Sequence, residues 1–564
     1  MLRHLCQCRA RSLQPRRLFH DVRVYKEDRR WPGWQVVVGI ETHAQIKARR
    51  KLFSESLTSD PGEIPNTHVT LFDAAFPGTL PTLNQKCVDL ALRAAVALEC
   101  NIQARSSFDR KHYFYSDLPS GYQITQQYAP IALSGKLNIS RPGSPTFPVR
   151  IKQIQLEQDT AKSTFNPRTR TSYIDLNRAG TGLMEIVSEP DLRSPEEAGA
   201  YVRTLQAVLR AVGSSDGNME QGSLRCDVNV SVNRVGRPPG TRCEIKNLNS
   251  VRFMMAAIIH EISRQRTILE SAPNPDTATV PQETRGFDEH RFETYRLRSK
   301  EDAPDYRYMP DPNLGVLVLN QDRILKIRET LPELPWDTRK RLSDEYGLSQ
   351  RDVDVLLAVD SGREVKYDGE IGDADAGAVA YFDRLCAGRA TPGSSSPERR
   401  DPKVVVNWMT HELLGQLAAR KESFADNHLS VEQMGQLIDL VQNKTITGTS
   451  GKILLRQMLA NPSRTPTEQV AQELQLIALS QRSSSPSSPS ASASISTTTD
   501  DASSELRALC GDAIVALPDE VAAVRKGNKN VLNKIVGHVM KDSRGRADAK
   551  AVRALLEELI LKQQ

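Results

Sequence analysis

The chain has 564 residues, of which 39% are hydrophobic, and a net charge of +6; that length predicts two to four domains with buried cores. Five of the positive charges (Arg3, Arg9, Arg11, Arg16 and Arg17) stand in the first twenty residues, which hold no acid. The remainder is close to neutral, so global charge does not argue for nucleic acid. No apolar run approaches the roughly 18 residues a membrane span needs, and none of the eight cysteines forms a C-x-x-C pair, so neither a zinc knuckle nor a disulfide framework is indicated.

The N-terminal stretch MLRHLCQCRARSLQPRRLFH sets Leu and Phe between its arginines. It predicts a mitochondrial transit peptide over residues 1–30 and a matrix location, the alternative being a plain basic tail. Residues 35–47 alternate as a strand. Val36, Val38, Ile40, Ala44 and Ile46 fall on one face; Gly39, Glu41, His43 and Gln45 fall on the other. Glu41 and His43 therefore point the same way, about 7 Å apart, which suits a shared metal site or a surface ion pair. An amphipathic helix is predicted from Asn84 to Cys100, with Val88, Ala91, Leu92 and Ala95 on its apolar side.

Residues 110–128 set Tyr113, Phe114, Tyr115 and Tyr122 among Lys111, Asp117 and glutamines. Such rings can stack an exposed base or fill a core, and both readings fit. In 149–159, Ile154 and Leu156 alternate with Gln155, Glu157 and Asp159. Thr171 to Leu192 reads as a β-hairpin: a strand carrying Asp175 and Asn177, a turn at Gly180 and Gly182, then a short strand carrying Glu185. A carboxylate among apolar neighbours needs a cation or a raised pKa. Ser194-Pro195-Glu196-Glu197 predicts a helix start with a capping box. Two further strands lie within 217–232 and 241–250, with Arg225, Asp227 and Asn229, then Arg242, Glu244 and Lys246, on their polar faces. A helix from Val251 to about Leu269 follows.

These elements predict an α+β fold: an antiparallel sheet with helices on its apolar face and an open face dense in acids. Converging carboxylates suit Mg²⁺ or Mn²⁺, which take oxygen ligands and bridge to phosphate. Arg225, Arg242 and Lys246 would hold the phosphates themselves. There is no P-loop, and Gly180-Thr181-Gly182 lacks the third glycine of a dinucleotide fingerprint.

From Leu331 the pattern turns helical, and residues 480–504 are Ser, Pro, Thr and Ala with almost no apolar bulk, the composition of a disordered linker. The predicted division is a cradle domain at 31–325, an all-α domain at 326–478, a linker at 479–504 and a small helical tail at 505–564. In the tail, Val531, Leu532, Ile535, Val536 and Val539 form an apolar stripe. The surrounding Lys526, Lys529, Lys534, Lys541, Arg544 and Arg546 read as a solvated face or as phosphate-backbone contacts.

Several segments carry a resemblance. GIETHAQI at Gly39, KHYFYSDLPSGYQITQ at Lys111, DLNRAGTGLMEIVSEPDL at Asp175, EQGSLRCDVNVSV at Glu220, EIKNLNSVR at Glu244, QETRGFDE at Gln282 and DYRYMPDPNL at Asp305 resemble, in order, the B-subunit family of aspartyl/glutamyl-tRNA amidotransferases. The resemblance implies a glutamine-synthetase-like cradle in a three-subunit, ATP-dependent ligase of mitochondrial translation. There the B subunit phosphorylates the γ-carboxylate of Glu mischarged on tRNA(Gln). An amidase-type A subunit supplies the ammonia that displaces the phosphate, and a small C- or F-type subunit completes the complex. Asp-tRNA(Asn) is a second possible substrate. Carried over by position, the catalytic set is Glu41, His43, Glu185 and Glu244, and Glu157, Gln158, Glu220 and Asp227 join these as metal ligands. The tail would bind the tRNA body. This chain has Gly182 where the family has Pro, Gln158 in place of a Glu, and Asp311 and Asn313 where the family has Glu and Asp. Gln158 leaves room for a second reading, a non-catalytic scaffold that holds tRNA. No Ser-Ser-Lys amidase signature is present, which places glutamine hydrolysis elsewhere.

Overall fold

The computed structural model describes residues 28–141, 143–273, 278–299, 305–362, 364–370, 377–388, 399–478, 500–525, 528, 530–543 and 545–561. The transit-peptide and linker expectations lie outside these residues, apart from their last few positions. The chain divides into two compact units, Met1–Leu331 and Pro332–Gln564.

The first unit contains strands β1 (Trp34–Gln45), β2 (Asn101–Ile102), β3 (Arg105–Ser106), β4 (Asp109–His112), β5 (Tyr122–Thr125), β6 (Ala132–Arg141), β7 (Ser144–Gln158) and β8 (Lys162–Asn166). It continues with β9 (Thr171–Asp175), β10 (Gly182–Ser188), β11 (Leu224–Arg234), β12 (Cys243–Leu248), β13 (Glu283–Asp288), β14 (Glu293–Ser299), β15 (Met309–Pro310) and β16 (Leu317–Val318). Nine of them form one sheet in the order β14-β13-β12-β11-β1-β10-β7-β6-β2. Every neighbour pair is antiparallel except β12 with β13. A three-stranded sheet, β15-β4-β5, stands apart from it.

Helices α1 (Gln85–Ala97), α2 (Pro195–Ala211) and α3 (Val251–Ser271) cover the apolar face, α1 against β7, α2 against β6 and α3 against β11. Val36, Val38, Ile40 and Ala44 of β1 are buried there with Val228 and Val230 of β11, Leu205 and Leu209 of α2, and Ile258 and Ile262 of α3. Each of these Val, Leu and Ile side chains contributes about 2 kcal/mol. A one-residue slip of β1 would turn the whole set outward, so the register that positions Glu41 and His43 is strongly specified. Ser194 Oγ caps α2 by accepting from the Glu197 amide at 3.2 Å. The Glu197 carboxylate takes the Arg193 amide (2.9 Å) instead of the N-cap amide a capping box would use.

The expected hairpin within 171–192 is not formed. β9 pairs with β8 as a separate ribbon, whereas β10 lies between β1 and β7. The connection passes Gly180 at φ +85°, and Leu52 donates to its carbonyl at 2.9 Å. Asp175 and Asn177 serve a loop: Asp175 Oδ1 accepts from the Asn66 amide (3.1 Å) and Asn177 Oδ1 from the His68 amide (2.9 Å).

The second unit is helical. One core gathers Phe382, Leu437 and Leu454; another, at the C-terminal end, gathers Leu532, Ile535, Val539 and Leu556. The helix Leu532–Asp542 thus buries most of its predicted stripe. No helix among the described residues is long and apolar enough to cross a membrane.

Candidate active site

The site lies on the polar face of the large sheet, with β1 at its centre. Antiparallel register sets His43 between Glu185 of β10 and Arg225 of β11, and Glu41 opposite Asp227. On β7, Gln155 is opposite Glu185. On β12, Glu244 is opposite Asn229 of β11. Because alternate residues of each strand share a face, five strands bring their polar side chains together. His43 Nε2 lies 3.4 Å from Glu41 Oε1, and its Nδ1 lies 3.9 Å from Glu157 Oε1. Two overlapping sets of ligand-capable atoms result, Glu41–His43–Asp227 and His43–Glu157–Glu185, each with its atoms within 4.8 Å of one another.

Burial and like charge set the protonation states. Burial disfavours the His43 imidazolium, but its bond to Glu41 and the charges of Glu185, Glu157 and Asp227 outweigh burial and push its pKa to about 9. Burial raises Glu185, and the neighbouring Glu157 carboxylate raises it further. Glu41 goes the other way: burial opposes its charge, but the His43 bond prevails and lowers its pKa. Gln155 Nε2 donates to Glu185 Oε2 at 2.5 Å, and Gln123 Nε2 donates to Glu157 Oε1 at 2.8 Å. The imidazolium supplies positive charge among carboxylates where a divalent cation, on binding, would displace its proton. Oxygen-rich donors with one imidazole fit Mg²⁺ or Mn²⁺.

The remaining predicted residues are placed unequally. Lys246 Nζ reaches Asp227 at 2.8 Å and Glu244 at 3.1 Å, and burial, which would lower its pKa, is outweighed by the two carboxylates. Arg225 is bound to Asp159, at 3.0 and 2.9 Å. Two of the three cations expected to hold phosphate are thus engaged with acids. Arg242 is exposed just ahead of β12. Glu220 is exposed in the turn before β11 and joins neither donor set. Strand alternation turns Gln158 away from Glu157, and its Oε1 faces the Ile124 amide at 3.4 Å. Instead it lines, with Asp159, Asp117, Tyr122, Phe72 and Phe76, a cavity of about 230 Å³. In the tail, Lys526, Lys529 and Arg544 lie outside the described residues. Lys534 is paired with Glu520 at 2.5 Å, and Arg546 Nε donates to the Ser543 carbonyl at 3.1 Å, whereas Lys541 is exposed. Glu520 stands upstream of the basic run, so only helix packing brings it to Lys534.

Sequence reasoning did not assign Lys111 a role at the site. Burial would lower its pKa, but Glu157, Tyr308 and Glu185 hold the ammonium charged, so the pKa is raised. Gln123 and Gln155 were equally hidden, since amides in a strand carry no signal until their partners are known. The fully buried pair Lys51–Asp73, at 3.3 Å, was also missed. Lys51 Nζ further donates to the carbonyls of His68 (2.7 Å) and Leu176 (3.3 Å), so one ammonium ties together the loops beside the cavity.

A sheet face that gathers carboxylates, an imidazole and cations, backed by a layer of helices, has the make-up of a catalytic domain for charged, phosphate-bearing substrates. The GatB/GatE catalytic domain family matches residues 36–325, and the GatB domain family matches 394–485 and 491–560. The chain belongs to this family. It is 71% identical over 546 residues to the mitochondrial B subunit of glutamyl-tRNA(Gln) amidotransferase from Laccaria bicolor, covering 97% of this chain and 96% of the relative. It is 44% identical to the corresponding mitochondrial protein of Cryptococcus neoformans, covering 94% of each. To the B subunit of the aspartyl/glutamyl-tRNA(Asn/Gln) amidotransferase of a Methylobacterium it is 42% identical, covering 93% of this chain and 95% of the relative.

Proposed function

We propose that this chain is the mitochondrial B subunit that amidates Glu-tRNA(Gln), working in a complex with an amidase-type A subunit and a small C- or F-type subunit. The γ-carboxylate of the tRNA-bound Glu attacks the γ-phosphorus of ATP, the bond to the β-phosphate oxygen breaks, and ADP leaves. Ammonia then adds to the acyl phosphate, sheds a proton and displaces inorganic phosphate, giving Gln-tRNA(Gln). The observation that carries this reading is the pair of donor sets sharing His43 on one sheet face. A polar sheet of this breadth suits a glutamine-synthetase-like cradle.

Glu41, His43 and Asp227 would hold one divalent cation, and Glu157 and Glu185 a second beside it; bound cations neutralise charge on the transferring phosphoryl group. Lys246, bonded to Asp227, and Lys111, whose charge Glu157 and Glu185 favour, would turn to phosphate oxygens, and Arg225 would do so only by leaving Asp159. Burial and Glu157 raise the proton affinity of Glu185, and a bound cation would hold it ionised as a ligand. Glu244 steadies Lys246 at 3.1 Å and accepts from Thr284 Oγ1 at 3.3 Å, a positioning role. The scaffold reading drew on Gln158, and that side chain faces the neighbouring cavity rather than the donor sets, so nothing specific favours it.

The test is release of labelled phosphate from γ-labelled ATP by the assembled complex without glutamine. Release that requires Glu-tRNA(Gln) and disappears in a Glu41→Ala/His43→Ala double variant supports activation here. Tight tRNA binding without aminoacyl-dependent ATP turnover, in a complex whose glutaminase is active, sinks it.

A further inference from the structure

Five tyrosines form a continuous run at the rim of the site. Ring centroids are 5.6 Å apart from Tyr115 to Tyr113, 5.9 Å from Tyr113 to Tyr306, 5.9 Å from Tyr306 to Tyr308, and 6.3 Å from Tyr308 to Tyr128. The run is non-local: Tyr306 and Tyr308 flank β4 because the His112 amide donates to the Tyr306 carbonyl at 2.8 Å and β15 pairs with β4. Its two ends are open, Tyr115 being 62% exposed and Tyr128 67%, with Phe114, next to Tyr115 in the chain, at 88%. Its middle is tied to the acids. Tyr113 Oη donates to Gln123 Oε1 at 3.1 Å, and Gln123 in turn donates to Glu157. Lys111 Nζ sits 5.0 Å from the Tyr306 ring centre and is held charged by Glu157 and Glu185.

An ordinary core would bury these rings, and an ordinary surface would not gather three large aromatics on one rim. The inter-ring angles of 63–74° are edge-to-face, so each pair sets the edge of one ring against the face of its neighbour, and it is the exposed Tyr115 and Tyr128 at the ends that offer aromatic surface to a planar partner. The partner chemistry is a nucleobase: it stacks on tyrosine, and its phosphates are drawn by the nearby ammonium. One nucleotide needs one ring. A run of five with two open ends fits successive unpaired bases.

We propose that the Tyr115–Tyr113–Tyr306–Tyr308–Tyr128 run is the stacking platform for the unpaired 3′ end of the aminoacyl-tRNA, fixing the distance from its last bases to the Glu185–His43 pair. This rests on the proposed function above. The adenine of ATP has the same stacking chemistry, and the test separates the two sources.

Tyr115→Ala/Tyr128→Ala and Tyr115→Phe/Tyr128→Phe variants are made in the assembled complex, since exposed rings can be removed without opening a core. The alanine variant is expected to raise KM for Glu-tRNA(Gln) on the order of tenfold or more, with KM for ATP and kcat at saturating tRNA unchanged; the phenylalanine variant keeps wild-type values. In filter binding, wild type holds intact uncharged tRNA(Gln) more tightly than tRNA trimmed of its three terminal nucleotides, and the alanine variant holds the two alike. A rise in KM for ATP alone assigns the rings to the nucleotide and overturns the proposal. So does an unchanged preference for intact tRNA, or a phenylalanine variant as impaired as alanine. Absence of Glu-tRNA-dependent ATP turnover in wild type, by contrast, would be a failure of the proposed function itself.

Discussion

Arg225 and Asp159 are joined by contacts of 3.0 and 2.9 Å that tie β11 to the residue just past β7, across the two strands between them. Asp159 is only 5% exposed. Removing the guanidinium leaves a buried carboxylate with the Thr160 amide, at 2.9 Å, and Arg178, at 3.6 Å, to offset it. Arg225→Ala is therefore expected to cost about 3 kcal/mol, and the Arg225→Ala/Asp159→Asn double variant to recover part of that loss. Urea unfolding of the four members of the cycle measures it, and strictly additive losses would show that the pair contributes no coupling.

Glu157 and Gln158 are adjacent in sequence and differ in direction. Glu157 belongs to a donor set with His43 and Glu185, whereas Gln158 meets the Ile124 amide. Glu157→Gln is expected to weaken Mn²⁺ binding at least tenfold in calorimetric titration, on the order of what loss of one charged ligand costs. Gln158→Glu, which restores the family's acid, should leave Mn²⁺ affinity within about twofold, a change near the 0.4 kcal/mol that such a ratio represents. Comparable effects from both substitutions would mean that both side chains reach the ion.

Glu261 supplies the pH dependence. It is fully buried and accepts from Arg264 at 2.7 and 2.9 Å and from Gln265 at 2.8 Å, with Arg285 at 3.3 Å. Burial would raise its pKa, but the Arg264 bonds and charge outweigh burial and lower it. A carboxylate whose folded pKa is depressed adds stability above its unfolded pKa, near 4.3, and loses it as pH falls through the folded value. Glu261→Gln should then be about 3 kcal/mol less stable than wild type at pH 7, with the gap closing below about pH 4. Denaturation midpoints between pH 3 and pH 7 follow it, and a gap that stays constant would rule out Glu261 ionisation as its source.

Gly180 combines a φ of +85° with a tight approach, since a Cβ there would stand 2.7 Å from Asp73 Oδ1. Gly180→Ala adds left-handed strain of about 1–2 kcal/mol and pushes Asp73 off Lys51. The expected result is a lower melting temperature together with faster proteolysis within residues 60–80, where Asp73 also holds Ser54 at 3.0 Å and the Thr70 amide at 3.0 Å. Faster proteolysis there without a change in melting temperature would confine the effect to the loop.

Local pattern was enough to read which residues of each strand share a face. The alternation in 35–47 set Glu41 and His43 on one side of β1, and the same alternation set Asp227 and Glu244 on the polar faces of β11 and β12. It was also enough for the α2 start at Ser194, because a cap depends on four consecutive residues.

Partner choice was not legible in this way. Residues 171–192 looked like one hairpin, yet β9 found β8 and β10 found β1 and β7, because burying Met184 and Ile186 in the sheet core is worth more than a local turn. Gln158 entered the ligand set with Glu157 by resemblance, and pleating turns consecutive residues to opposite sides. Arg225 looked free for phosphate until Asp159, 66 positions away, came within 3.0 Å. The amino-acid order alone determined the periodicities, the caps and the kinds of chemistry present. Only the tertiary structure decided which side chains meet, since strand register and loop packing are fixed by burial summed over the whole core and not by any neighbour in the sequence.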